Sequence, residues 1–143
     1  MLRGIHPLLG PDLLHALRSL GHGDELVIAD ANFPSHSLGP RVIHLDGVDA
    51  VVTADAILTH LPLDTFAEAA AFRMEVVGDP AAVPPICQAF ADLVKSLAGP
   101  FEVVALERFA FYERARNAAF IIATGERRLY GNLILKTGVL TLE

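Results

Sequence analysis

Four sets of polar side chains fall where strands or helices should end rather than along solvated faces. They are His22 in GHGDE, Asp30 closing ELVIAD, Arg108 with Tyr112 in RFAFYERA, and Tyr130 with Asn132 in ERRLYGN. A histidine titrates near pH ~6.5, so it can pass one proton in either direction around neutrality. Gly21 and Gly23 flank His22 and permit positive φ, which suits an imidazole held at the lip of a cleft; the same residue could equally be a structural cap. Asp30 follows an apolar run, where a carboxylate can accept from two neighbouring hydroxyls or simply close a turn. Arg108 and Tyr112 share a helical face at i, i+4, whereas Arg114 and Arg116 read more plainly as a solvated face. Tyr130 and Asn132, two apart in extended chain, point to one side. They offer an aromatic wall with a hydroxyl tip beside an amide that donates and accepts, or else a hairpin turn.

Other chemistries lack their residues. His36 and Ser37, taken with His22, raise the thought of a metal, yet His6, His15, His44 and His60 show no HxH or HExxH spacing. Neither Ser35 nor Ser37 stands in a GxSxG elbow. No GxGxxG follows the first strand and no GK[ST] occurs anywhere, so nucleotide cofactors drop out and no cofactor or metal is expected. The single Cys87 can form neither an intrachain disulfide nor a cysteine cluster and reads as helix packing. What remains is a small, neutral, hydroxyl-rich ligand and a reaction that one or two proton carriers can manage.

The elements that must position these groups alternate at short spacing. Pro11 suits a first helical turn, and Leu13, Leu14, Leu17 and Leu20 recur at helical period until Gly21. ELVIAD (25–30) reads as a strand buried on both faces, with Asp30 at its carboxyl end, the edge where open α/β sheets place ligands. Residues 31–40 hold two prolines and a glycine and read as loop. Strands are expected at 41–45, 72–78, 101–107, 120–125 and in NLILKTG (132–138), and helices at 49–60, 83–98 and 108–118. Six strands and four helices in this alternation predict a single three-layer α/β domain over 1–143, with a central mixed, mostly parallel sheet.

Composition bounds the partners. Hydrophobic residues make up 52% of the 143 and charged residues 20%, with a mean hydropathy of +0.44, which points to apolar surface shared with other subunits. No apolar run approaches the roughly 20 residues of a membrane span, and Pro7, Gly10 and Pro11 interrupt what a signal peptide would keep continuous, so a cytosolic protein is expected. A net charge of −6, with the arginines interleaved among glutamates, argues against nucleic acid.

Three blocks taken together, GHGDELVIADANFPSHSLGP, RFAFYERA and TGERRLYGNLILKTG, resemble the family that unites L-fucose mutarotases and D-ribose pyranases, over the whole chain and in the fucose branch. Ribose-type members typically carry GHTD and YAN where this sequence has GHGD and YGN, and lack the FPSHS and FYERA segments; Asn32 stands where a histidine is often found. The resemblance implies a cofactor-free isomerase that exchanges the α and β anomers of L-fucose or a related free monosaccharide. It further implies His22 as proton donor, Asp30, Arg108 and Tyr130 to Asn132 as the sugar site, and a ring-like homo-oligomer, often a decamer, with sites near subunit contacts. A ribose pyranase and a non-catalytic monosaccharide-binding module are the alternatives. On this reading the polar groups bracket one strand because one end begins the proton chemistry and the other fixes the sugar, provided the turn at 21–24 folds back over the sheet edge.

Overall fold

Leu26 to Ala29 are wholly buried because the strand they form lies inside a six-stranded sheet with helices on both faces. In the computed structural model, which describes residues 1–142, the order is α1 (Pro11–Ser19), β1 (Glu25–Ala29), β2 (Arg41–Leu45), α2 (Ala50–Leu58), β3 (Ala71–Met74), α3 (Pro85–Leu97), β4 (Val103–Leu106), α4 (Arg108–Arg116), β5 (Phe120–Thr124) and β6 (Leu133–Lys136). The sheet runs β2-β5-β1-β6-β3-β4. All neighbours are parallel except β6, which is antiparallel to both β1 and β3. The mixed, mostly parallel sheet is therefore the one expected.

Strand alternation divides the core into two. Leu26, Ile28, Ile122, Leu133 and Leu135 pack with Leu13, Ile57 and Phe90, from α1, α2 and α3. Val27, Ala29, Ile121 and Ile134 point the other way, onto Phe111 and Ala115 of α4. Successive residues of a strand face opposite sides, so a central strand must be apolar throughout, as LVIA is. Cys87 is buried on α3 as packing.

Several boundaries differ from the sequence expectation for identifiable reasons. The first helix ends at Ser19, short of Gly21, with Leu20 already extended. Glu107, expected to close a strand, caps α4 instead, its carboxylate accepting from Phe109 N (2.8 Å) and Ala110 N (3.2 Å). The third strand stops at Met74, and residues beyond it turn at Gly78, where φ is +81°. Among the described residues no helix is long and apolar enough to cross a membrane.

The direction of β6 decides what happens at the edges. β5 and β6 flank β1 on opposite sides and run in opposite senses, so the segment joining them must cross the carboxyl end of β1. It does: Ala31 N donates to Glu126 O at 2.8 Å. The far end of β6 arrives, for the same reason, beside the start of β1.

Candidate functional site

Asp30 leaves β1 directly beneath that crossing segment and is 5% exposed. Asn132, 4% exposed, clasps it twice: Asp30 N donates to Asn132 Oδ1 at 2.8 Å, and Asn132 Nδ2 donates to Asp30 Oδ2 at 2.9 Å. Asn32 N donates to the other carboxylate oxygen at 2.9 Å. Burial pushes the Asp30 carboxyl above its ordinary value, and the hydrogen bonds from Asn32 and Asn132 only partly offset it. A carboxylate held this way keeps lone pairs for a ligand hydroxyl in a low-dielectric setting.

Around this clasp lies a cavity of about 170 Å³, lined by Asp30, Asn32, Phe33, Tyr112, Tyr130 and Asn132 among others. That is below the ~300 Å³ at which sites for drug-sized ligands begin and suits a single small ring. The Phe33 ring packs on Tyr112 with centroids 5.6 Å apart and on Phe111 at 5.9 Å, which fixes the aromatic wall. Tyr130 and Asn132 do converge on the cavity, but not through extended alternation. Tyr130 has φ +65°, a left-handed conformation that costs free energy outside glycine and is held here by its surroundings. Its hydroxyl accepts from Val77 N at 3.0 Å, leaving its own proton to donate. Gly131 is required by close approach: a Cβ there would lie 2.7 Å from Glu126 Cγ and 2.9 Å from Ile86 Cδ1.

Arg108 stands one turn before Tyr112 but opens onto the adjoining hollow lined by Glu75 and Val77, with its guanidinium 4.7 Å from the centroid of the Phe109 ring. It neighbours the Asp30 cavity through Val77 rather than lining it.

His22 is elsewhere. The turn at 21–24 does not fold back over the edge that carries Asp30; it sits at the amino end of β1, with the strand's roughly 13 Å between them. The physical reason is the backbone of β6: Gly23 N donates to Thr137 O and Thr137 N to Asp24 O, both at 2.8 Å, which bolts the turn to the wrong end for contact within one chain. His22 Nε2 instead faces Asp64 Oδ1 at 3.0 Å, and its ring meets Phe66 edge-on at 5.6 Å.

His36 and His44 face each other Nε2 to Nε2 at 2.9 Å, and Asp46 Oδ1 holds His44 Nδ1 at 3.1 Å. This trio lines a second cavity of about 400 Å³ that shares Asp30 and Phe33 with the first. Among the described residues no group of three or more His, Cys, Asp or Glu side chains could hold a metal ion.

Sequence reasoning missed Glu126, Phe33 and Asp64. Glu126 read as part of a charged turn, yet it is 3% exposed. Its oxygens accept from Arg128 Nε (2.9 Å) and Nη2 (2.8 Å) and from Ala50 N (3.3 Å). The Arg128 guanidinium holds its carboxyl down at about 2 against the burial that opposes it. No sequence signal separates it from its exposed neighbours, because the partner at Ala50 is far away along the chain.

Comparison with known proteins gives the family and the fold. The model of the RbsD / FucU transport protein family matches residues 3–140. The fucose mutarotase of Danio rerio is 46% identical over 148 aligned positions, covering 100% of this chain and 97% of its own. The crystal structure of the fucose mutarotase from Streptococcus pneumoniae in complex with L-fucose superposes with a TM-score of 0.91 at 39% identity, covering 98% of this chain and 100% of that one. Bacillus subtilis RbsD complexed with D-ribose gives 0.75 at 26% identity, covering 99% and 100%.

Proposed function

We propose that this chain, which belongs to the RbsD / FucU transport protein family, is an isomerase that interconverts the α and β anomers of L-fucose. The observation that carries the reading is the Asp30–Asn132 clasp at the foot of a cavity of single-ring size walled by Phe33, Tyr112 and Tyr130. The relatives lean the same way, since the likeness to the fucose complex exceeds that to the ribose complex.

Anomer exchange needs little from the protein. The ring oxygen gains a proton as its bond to the anomeric carbon breaks; the anomeric hydroxyl loses one as its oxygen becomes the aldehyde oxygen. The aldehyde then rotates about one bond and the ring recloses from its other face, so no group is transferred and nothing is oxidised. Asp30 accepts sugar hydroxyls, Asn132 donates and accepts beside it, the Tyr130 and Tyr112 rings cover the sugar, and Arg108 reaches over from the adjoining hollow. His22 is the proton carrier, a contribution on the order of 10²–10⁴ in rate.

His22 can meet a sugar held at Asp30 only if another copy of the chain brings it, because β1 separates the two within one copy. A homo-oligomer, a decameric ring among the family's possibilities, is thus part of the reading, and exposed Phe66 and Phe109 supply apolar surface for it. A cytosolic location is the corresponding expectation for an enzyme acting on a free sugar.

Exchange NMR on the anomeric protons of L-fucose tests the reaction, and faster α/β exchange with protein than without is expected. His22→Ala should remove the acceleration while fucose still binds. A mixture of His22→Ala and Asp30→Asn chains, unfolded and refolded together, should regain about one quarter of the sites if copies assort at random. No regain alongside an active wild type would return both residues to a single chain, and fucose that binds without faster exchange would leave a sugar-binding module.

A further inference from the structure

The turn that carries His22 and the segment that carries Asp64, 42 residues apart in sequence, are fastened to the same short stretch at the end of β6, the first to Thr137 and the second to Lys136, Thr137 and Gly138. On one side, Gly23 N donates to Thr137 O and Thr137 N to Asp24 O. On the other, Asp64 N donates to Lys136 O at 3.1 Å and Gly138 N to Pro62 O at 2.8 Å, with Leu63 bridged to Thr137. Gly138 allows this second docking, because a Cβ there would collide with the Leu63 carbonyl. Backbone geometry therefore sets the His22 to Asp64 separation, independently of either side chain.

The side chains make use of it. Asp64 is buried while the imidazole is about half exposed, with relative exposures of 4% and 48%. Asp64 Oδ1 accepts from Phe66 N at 2.9 Å and faces His22 Nε2 at 3.0 Å. The Phe66 N–H holds the Asp64 carboxyl below its ordinary value, burial opposes that, and the bond to His22 adds to the lowering. An ionised carboxylate can only accept, so the nitrogen facing it must be the protonated one. Gly21 N donates to Asp24 Oδ2 at 2.7 Å, which closes the turn that carries His22. The Phe66 ring meets the imidazole edge-on.

We propose that Asp64 is a positioning residue for His22: it holds the neutral imidazole as the Nε2–H tautomer and so presents Nδ1, from the half-exposed side, as the nitrogen that exchanges protons with the sugar. This rests on the reading of His22 as the proton carrier. In the neutral ring Nδ1 is the acceptor for the anomeric hydroxyl proton. In the charged ring Nδ1–H is the donor to the ring oxygen, and Nε2 keeps its proton throughout. Without Asp64 the ring would divide between two tautomers and rotate, and only a fraction would present a lone pair to the substrate. A carboxylate that orients a histidine through its other nitrogen is a recurrent arrangement in proton-transfer sites.

Asp64→Asn keeps the side chain's shape and the Oδ1 acceptor for the Phe66 N–H, so the loop retains its docking, but it removes the negative charge and leaves only a neutral amide oxygen, a weaker acceptor, facing Nε2. Exchange on L-fucose should fall on the order of tenfold or more, while fucose affinity stays within about twofold. In protein labelled with ¹⁵N-histidine, magic-angle-spinning NMR of the neutral ring should show His22 with Nε2 protonated and Nδ1 bare, assigned by loss of the signals in His22→Ala. The pattern should become mixed in Asp64→Asn and recover in Asp64→Glu. On the His22→Ala background, Asp64→Asn should leave fucose affinity unchanged, whereas a merely structural residue would still subtract from it. An Asp64→Asn enzyme at full rate, an Nδ1–H tautomer in the wild type, or a loss of fucose affinity in the double variant relative to His22→Ala would overturn the proposal. An active protein indifferent to His22→Ala would instead remove the reading of His22 on which it rests.

Discussion

The two ends of β1 are built on opposite plans. At the carboxyl end, Asp30 is buried and clasped by Asn132 with donors on both oxygens, an arrangement that fixes a hydrogen-bonding surface. At the amino end the buried carboxylate, Asp64, serves an imidazole that stays half in solvent, an arrangement that leaves one nitrogen free to exchange protons. Binding calls for preorganised acceptors with little motion; proton transfer calls for a group that can meet both substrate and water. On the function proposed above, separating the two by a whole strand keeps each in the environment it needs, and association of copies is what would reunite them.

The sharpest way to break this contrast is to take the charge from the binding end. Asp30→Asn keeps the volume, and should weaken fucose binding about 10- to 100-fold, the range for a hydrogen bond to a charged group, with the protein still folded by circular dichroism. The pH dependence has a definite sign. Burial raises the Asp30 carboxyl, so as pH falls it takes up its proton above the ordinary aspartate value of 3.8, and an acceptor is lost. Titration calorimetry with fucose on the His22→Ala background, which leaves Asp30 to be read alone, should show affinity constant near neutrality and declining before pH reaches that value. Affinity that held to lower pH would take Asp30 out of direct contact with the sugar.

How much of this was readable in the chain follows from how local each signal is. The strand LVIA and the six-strand, four-helix order were legible because burial on two faces demands continuous apolar residues and each element carries its own period. Asp30 and Asn132 were legible as polar groups at element ends. Their mutual clasp was not, since it depends on β6 running antiparallel beside β1, a pairing set by residues more than 100 positions apart. The same antiparallel strand fastened His22 to the opposite edge, which no spacing between residues 22 and 30 could reveal. Asp64 in LPLDT had no periodic or motif signal at all. Its partner becomes visible only when both loops dock on residues 136–138.

A second prediction concerns the strut under the binding end. Glu126 accepts from Ala50 N and Arg128 and carries the backbone that crosses Asp30. Its carboxyl lies at about 2 in the folded protein against 4.5 ordinarily, so its stabilising contribution is complete above pH ~4.5 and is lost as pH falls from there toward 2. Glu126→Gln retains two of the hydrogen bonds and should cost about 1–3 kcal/mol at neutral pH. The difference in thermal midpoint between wild type and variant should shrink through that acid window. A gap that stayed constant down to pH 2 would mean the charge contributes nothing to the strut.

The smallest effect is expected at Tyr130, where the wall of the binding end meets its rim. The hydroxyl accepts from Val77 N, so its one proton is directed elsewhere, and the cavity is the open side. Tyr130→Phe preserves the ring and the apolar wall, and Val77, which lies at an exposed turn, can exchange its lost acceptor for water. Stability should therefore change by less than about 1 kcal/mol, while fucose affinity falls about 2- to 10-fold, the range for a neutral hydrogen bond. If His22 of another copy is the proton carrier at this site, as proposed, the Tyr130 hydroxyl only binds, and the maximal exchange rate at saturating fucose should hardly move. A fall in that rate with affinity intact would mean the Tyr130 hydroxyl takes part in proton transfer, and the division of labour between the two ends of the strand would have to be redrawn with a proton donor on each.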